Sequence, residues 1–131
     1  MRGRKPSAIV TGSRPVTTVP RPPALLSKEA KAEWKRVAPI LIDERKTLTE
    51  ADLATLVNYC IAVGTMWQAH CLLNTEGLVR ADGKKHPAFS ILNNAQTTQR
   101  LCAAELGLTP VSRSRPAMRN EGTDDDNPFG I

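Results

Sequence analysis

At 131 residues, with 40% hydrophobic and only 4% aromatic side chains, the chain has material for one small domain and a modest core. The formal net charge of +5 is unevenly laid out. Residues 1–26 carry Arg2, Arg4, Lys5, Arg14 and Arg21 and no acid, residues 27–110 hold ten basic and nine acidic groups, and Asp124, Asp125 and Asp126 make the far end acidic. Three cysteines without a CxxC pair, and histidines far apart at 70 and 86, fit no zinc template and suit a reduced, cytoplasmic chain.

The first stretch, 1–24, reads as an unfolded basic arm, because Gly, Pro, Ser and Thr dominate it and nothing in it is periodic. Arg2, Arg4 and Lys5 lead into prolines and not into an apolar run, so no signal peptide is expected. A basic tail on a neutral body suits a polyanion such as nucleic acid, and it equally suits a role as a solubilising tail.

The folded part is expected over 25–115. Ser27 is an N-cap candidate with Glu29 in the first turn behind it. Ala30, Trp34, Val37 and Leu41 recur at helical spacing, with Lys28, Lys31 and Lys35 on a different face. Pro39 is expected to end or kink this helix. Thr49 with Asp52 three residues on gives a capping-box start to a second, long helix.

From 53 to 75 no residue is charged, which is long enough to span a bilayer. Asn58, Gln68, His70 and Asn74 interrupt the segment, and its apolar residues fall on faces, so burial against protein explains it better. Leu53, Leu56, Val57, Cys60, Gly64, Trp67 and Cys71 share one arc; Ala62, Met66, Ala69 and Leu73 lie opposite. Two apolar faces on one helix of so small a protein point to a neighbouring subunit on the second, making Ala62, Met66, Ala69 and Leu73 the expected oligomer interface.

Gly77 is a C′ stop, and the Asp82–Gly83 turn with Lys84 and Lys85 suits a short hairpin or ordered loop. His86–Pro87 starts a third helix, whose inner stripe is Ala88, Ile91, Leu92, Ala95, Cys102, Ala103 and Leu106. Gly107 ends it, and Thr109–Pro110 suits the cap of a final short helix or turn. Residues 116–131 read as an acidic, unfolded tail. The fold class is therefore all-α: a small helical bundle around a central long helix, flanked by two tails.

No set of residues suggests catalysis. There is no Gly-rich phosphate loop, no GxSxG or HExxH, and no carboxylate cluster for metal-assisted chemistry. His86 at a helix start suits capping better than general-base work, and His70 beside Cys71 cannot form a dyad, since consecutive helical residues diverge by about 100°. Trp34 and Trp67 sit on apolar stripes and are expected in the core, with stacking on bases the alternative. Asn93, Asn94, Gln96 and Gln99 have donors and acceptors for base edges, as do plain exposed helices. The candidate DNA-binding residues are Arg2, Arg4, Lys5, Arg14, Arg21, Lys28, Lys31 and Lys35.

Several elements recur in a telling order: Gly3-Arg4-Lys5-Pro6; Pro20 to Leu25 (PRPPAL) before Ala32-Glu33-Trp34; Leu48-Thr49-Glu50-Ala51-Asp52; Asn58-Tyr59-Cys60; Gly77, Gly83 and His86-Pro87; and Glu105-Leu106-Gly107-Leu108-Thr109-Pro110 with Ser112, Arg113 and Arg115 behind. In this order the chain resembles the phage terminase small subunit family, often encoded beside an HNH endonuclease and the terminase large subunit, over roughly residues 3 to 115. The resemblance implies a ring-forming, non-enzymatic protein of the infected host's cytoplasm. Such a protein binds double-stranded viral DNA at the packaging start and delivers it to the large subunit, which holds the ATPase and nuclease, with the portal as a further partner. No cofactor and no catalytic residue follow from it. A small transcription regulator and a structural head or connector protein are the alternatives, although a helix of about 25 residues is long for a helix–turn–helix.

Overall fold

A computed structural model describes residues 14–112. Arg2, Arg4 and Lys5, like the acidic end, lie outside the described residues. Within them the elements are helix α1 (Lys28–Pro39), a π-helical turn (Ile40–Glu44), one 3-10 turn (Glu50–Asp52), the long helix α2 (Leu53–Glu76) and helix α3 (Pro87–Glu105). No strand is present among the described residues, only two isolated antiparallel bridges, Pro15 with Thr49 and Val79 with Lys85. The all-α class is observed.

The helix ends follow the side-chain chemistry of their caps. The Ser27 hydroxyl accepts the amide of Ala30 at 3.1 Å and opens α1. The Asp52 carboxylate accepts from the amide and hydroxyl of Thr49, at 3.0 and 2.9 Å, and fixes the turn that leads into α2. Gly77 closes α2 at φ 88°, a conformation that other residues rarely adopt. His86 caps α3, its Nδ1 accepting the Ala88 amide at 2.9 Å, with Pro87 in the first turn. Pro110 to Ser112 begin another helical turn, and the amide of Ser112 is held by the Thr109 hydroxyl at 3.1 Å.

The α-helix ends at Pro39, as expected, but the chain stays helical beyond it. At φ −61° its ring is compatible with helical backbone, and the chain continues as a π turn in which the Arg45 amide reaches the Ile40 carbonyl at 2.9 Å. Burial of Leu41 and Ile42 outweighs the one hydrogen bond that proline forfeits.

The expected unfolded arm is corrected in its second half. Residues 14–16 run antiparallel to 48–50, with the Val16 amide on the Leu48 carbonyl at 2.9 Å and the Glu50 amide on the Arg14 carbonyl at 2.8 Å. The Pro20 carbonyl then accepts the Trp34 indole N–H at 2.9 Å. A proline-rich segment cannot fold on itself, but its free carbonyls suit a buried indole that must place its donor. Val16 and Val19 add apolar contact to the core.

The main core lies where all three helices meet. Leu26, Trp34, Val37, Leu41, Leu48, Leu56, Cys60, Ala103 and Leu106 are all buried there. A second, smaller cluster of Ala69, Leu73 and Ala88, flanked by Phe89 and Leu92, joins α2 to α3 farther out. α1 crosses α2 at Gly64, where a Cβ would stand 2.7 Å from the Ser27 hydroxyl and 3.1 Å from the Ala30 Cβ. Glycine at this point is what lets the backbones approach so closely.

Twelve residues of α1 reach about 18 Å and 24 residues of α2 about 36 Å. The α2/α3 hairpin therefore extends well past the start of α1, and its outer part is only two helices thick.

Candidate nucleic-acid and self-association surfaces

Among the candidate DNA-binding residues, Lys28 and Lys35 are exposed on one face of α1, and Lys31 between them is half-buried. None of the three has a carboxylate within 4.0 Å among the described residues. Arg14 and Arg21 are exposed on a segment pinned to the body, so Arg21 is carried alongside α1 by the bond from Trp34 to Pro20. Two other cations of this region are committed elsewhere. Arg36 forms a two-pronged pair with Glu33, and Arg45 donates to the Gly107 carbonyl at 2.8 Å, closing the end of α3.

Glu33 is the hub of a polar bridge under this face. Its carboxylate accepts the Tyr59 hydroxyl at 2.6 Å as well as Arg36. Burial alone raises its pKa, but the bonds from Arg36 and Tyr59 outweigh burial and hold the carboxyl below its ordinary range. Burial, helped by the adjacent carboxylate, pushes the Tyr59 phenol up to about 12, so Tyr59 stays a donor. Burial likewise pushes the Cys60 thiol up to about 12, so it is an unreactive core residue. No cluster of three or more His, Cys, Asp or Glu able to hold a metal occurs among the described residues.

The expected oligomer-interface residues are placed differently from their expected role. Ala62, Ala69 and Leu73 are buried within the single chain, and Met66 is half-buried. The helix that covers this side of α2 is α3, whose small residues Ala88 and Ala95 allow close packing. The second apolar face thus exists, but its cover is intramolecular.

Exposure falls instead on residues of the first arc and on the hairpin's flanks. Trp67, expected in the core, is 57% exposed. It lies one turn beyond Gly64, past the start of α1, so no described residue of α1 reaches over it. With Met66, His70, Leu92 and Gln96 it lines a shallow groove of about 250 Å³. On the opposite side of the hairpin, Asn58, Ile61, Thr65, Ile91, Asn94 and Thr98 line a larger one of about 340 Å³. Ile61, Leu72, Ile91 and Leu101 are large exposed apolar residues on this flank. The amides suggested for base readout do not converge, since Asn94 and Gln96 line opposite grooves.

Both flanks are free of charge, since neither 53–75 nor 87–99 contains Asp, Glu, Lys or Arg. Exposed helix surface normally carries such residues, and their depletion with tryptophan and methionine present is the composition of protein interface cores. The run of uncharged residues in α3 was the sequence signal for the second flank, but it acquires meaning only beside α2.

Against known families, residues 30–123 match the family described as phage terminase, small subunit. That span runs from Ala30 in α1 through α2 and α3, and the chain belongs to this family. No curated protein and no solved structure matches it. Among the described residues no helix is long and apolar enough to cross a membrane, which agrees with reading the uncharged 53–75 segment as buried against protein.

Proposed function

We propose that the protein is the DNA-recognition subunit of a terminase. It assembles into a ring, binds double-stranded viral DNA at the packaging start, and hands it to the large subunit, whose ATPase it stimulates. The observation that carries this reading is the family match over residues 30–123. The ring reading is supported by two different uncharged flanks on one helical hairpin. A contact between unlike faces repeats head to tail, and when the rotation closes it gives a ring. In this proposal Trp67 on one flank meets the Ile61 and Ile91 groove of the next subunit, and Ala62, Ala69 and Leu73 hold the hairpin together instead of facing a neighbour.

DNA contact is assigned to Arg2, Arg4, Lys5, Arg14, Arg21, Lys28, Lys31 and Lys35, whose phosphate contacts are multiplied by the subunit number. The protein supplies no chemistry of its own and needs no cofactor; its partners are DNA, the large subunit, its own copies and the portal. The test is particle imaging of the purified protein with and without DNA, together with ATP turnover by the large subunit. Closed particles and DNA-dependent stimulation are expected. A monomer at micromolar concentration, or no stimulation, contradicts the proposal.

Removing residues 2–13 is expected to weaken DNA binding and flatten its salt dependence with assembly intact. Removing 2–21 also strips the carbonyls held by Trp34 and Glu50 and is expected to lower the melting temperature. Unchanged binding and salt slope in the 2–13 deletion would assign the DNA surface to the body alone.

A further inference from the structure

The connection between α2 and α3 is a built feature. The Arg80 amide donates to the Lys84 carbonyl at 2.7 Å, the Gly83 amide to the Arg80 carbonyl at 2.9 Å, and the His86 amide to the Leu78 carbonyl at 2.8 Å. The Asp82 carboxylate accepts the Lys84 amide at 3.0 Å, and Gly83 takes the φ of 86° that the turn requires. At the root, His86 is locked between α2 and α3. Its Nδ1 accepts the Ala88 amide, so Nε2 carries the proton and donates to Glu76 at 2.6 Å. The Lys85 ammonium stands over the Phe89 ring, 5.7 Å from its centre.

This ordered turn projects three cations, all exposed: Arg80, Lys84 and Lys85. Only Arg80 has an acidic neighbour, Asp82 at 3.5 Å, and neither lysine has a carboxylate within 4.0 Å among the described residues. Past Gly64 the other charged side chains at this end, among the described residues, are the acids Glu76, which holds His86, and Asp82, so these three are the positive groups there. We propose that the bridged turn 78–86 is a second nucleic-acid contact, a wing that grips the phosphate backbone through Arg80, Lys84 and Lys85. The proposal rests on the DNA-binding role given above and adds a site to it.

Phosphate is the ligand that fits. The turn offers cations without a pocket or a pattern of acceptors, which suits sequence-blind backbone contact. A fixed turn also loses less entropy on binding than a free basic tail, so each of its contacts counts for more. Twelve residues of α2 separate Glu76 from the α1 crossing at Gly64, about 18 Å along the helix. A duplex presents a charge every ~1.7 Å of its axis, so the wing and the α1 lysines can engage one DNA molecule at two separate points.

The test is binding of the full-length protein to a double-stranded DNA fragment across a salt series. In Arg80→Gln/Lys84→Gln/Lys85→Gln, affinity at about 0.1 M monovalent salt is expected to fall by roughly tenfold or more. The slope of log affinity against log salt is expected to flatten by about 0.9 for each lost phosphate contact. Asp82→Asn keeps the oxygen that accepts the Lys84 amide and frees Arg80, so it is expected to bind DNA more tightly than the unmutated chain. The turn is held by backbone bonds, so circular dichroism melting and particle mass should not change in either variant. Unmutated affinity and slope in both variants would overturn the wing, including the case where they impair only association with a protein partner. If the unmutated protein itself fails to bind DNA, both the wing and the functional reading fall.

Discussion

Where α1 lies on α2 the interior is three helices deep and the exterior carries charge: Lys28, Lys31, Lys35 and the Glu33–Arg36 pair stand above a core of Trp34, Val37, Leu56 and Cys60. Past Gly64 the same α2 packs, among the described residues, on α3, and its exposed surface shows Trp67 and Leu72 with no charged residue before Glu76. The two regions share a helix and a composition of apolar residues, yet one finishes its burial inside the chain and the other does not. An apolar arc is therefore a demand for cover, and the length of the neighbouring helix decides whether that demand is met internally or by another molecule.

The sharpest way to break this comparison is to put a charge where the cover is missing. Trp67→Lys is expected to lower the self-association constant by a factor of about 30 or more, the loss of a central aromatic anchor worth at least about 2 kcal/mol. Light scattering reads the mass, and circular dichroism should show an unchanged helical content, because the side chain is already exposed in the single chain. A particle of unchanged mass would mean that the overhang is not the contact.

The reverse experiment disturbs the crossing that ends the covered region. Gly64→Ala gains up to about 1 kcal/mol of helix propensity but forces the Ser27 cap and Ala30 apart. Overpacking of this kind typically costs about 1–3 kcal/mol, so a net loss near 1 kcal/mol is expected in urea melts. A stabilised protein would show that α1 yields easily.

A smaller effect is expected from the bridge between α1 and α2. Tyr59→Phe removes one hydrogen bond to Glu33 and should cost on the order of 1 kcal/mol. The folded Glu33 pKa is depressed, so its contribution is present above the ordinary value of 4.5 and is lost as pH falls from there through the folded value. Acid melts of Glu33→Gln should lack that part of the pH dependence; an identical acid profile would remove Glu33 from the account.

Least disruptive is a chemical count. Cys71 is exposed on the overhang while Cys60 and Cys102 are buried, so one thiol of the three should react with a maleimide under native conditions. Two or three modified thiols would mean that the covered region opens.

Much of the architecture was legible in the chain. Ser27, the Thr49 and Asp52 box, Gly77, His86–Pro87 and Gly107 act through contacts within a few residues of themselves, so local chemistry placed the helix ends. The order of those signals carried the family resemblance, and the missing phosphate loop needed no structure to be noticed. Tertiary packing decided what periodicity cannot express. Trp67 and Cys60 share one arc, but only Cys60 lies under α1. Ala62, Ala69 and Leu73 look like a spare face until α3 folds back over them. The prolines around residue 20 look unstructured until Trp34 needs an acceptor. A sequence determines which side of a helix wants burial, and only the reach of the other elements determines where that burial is found.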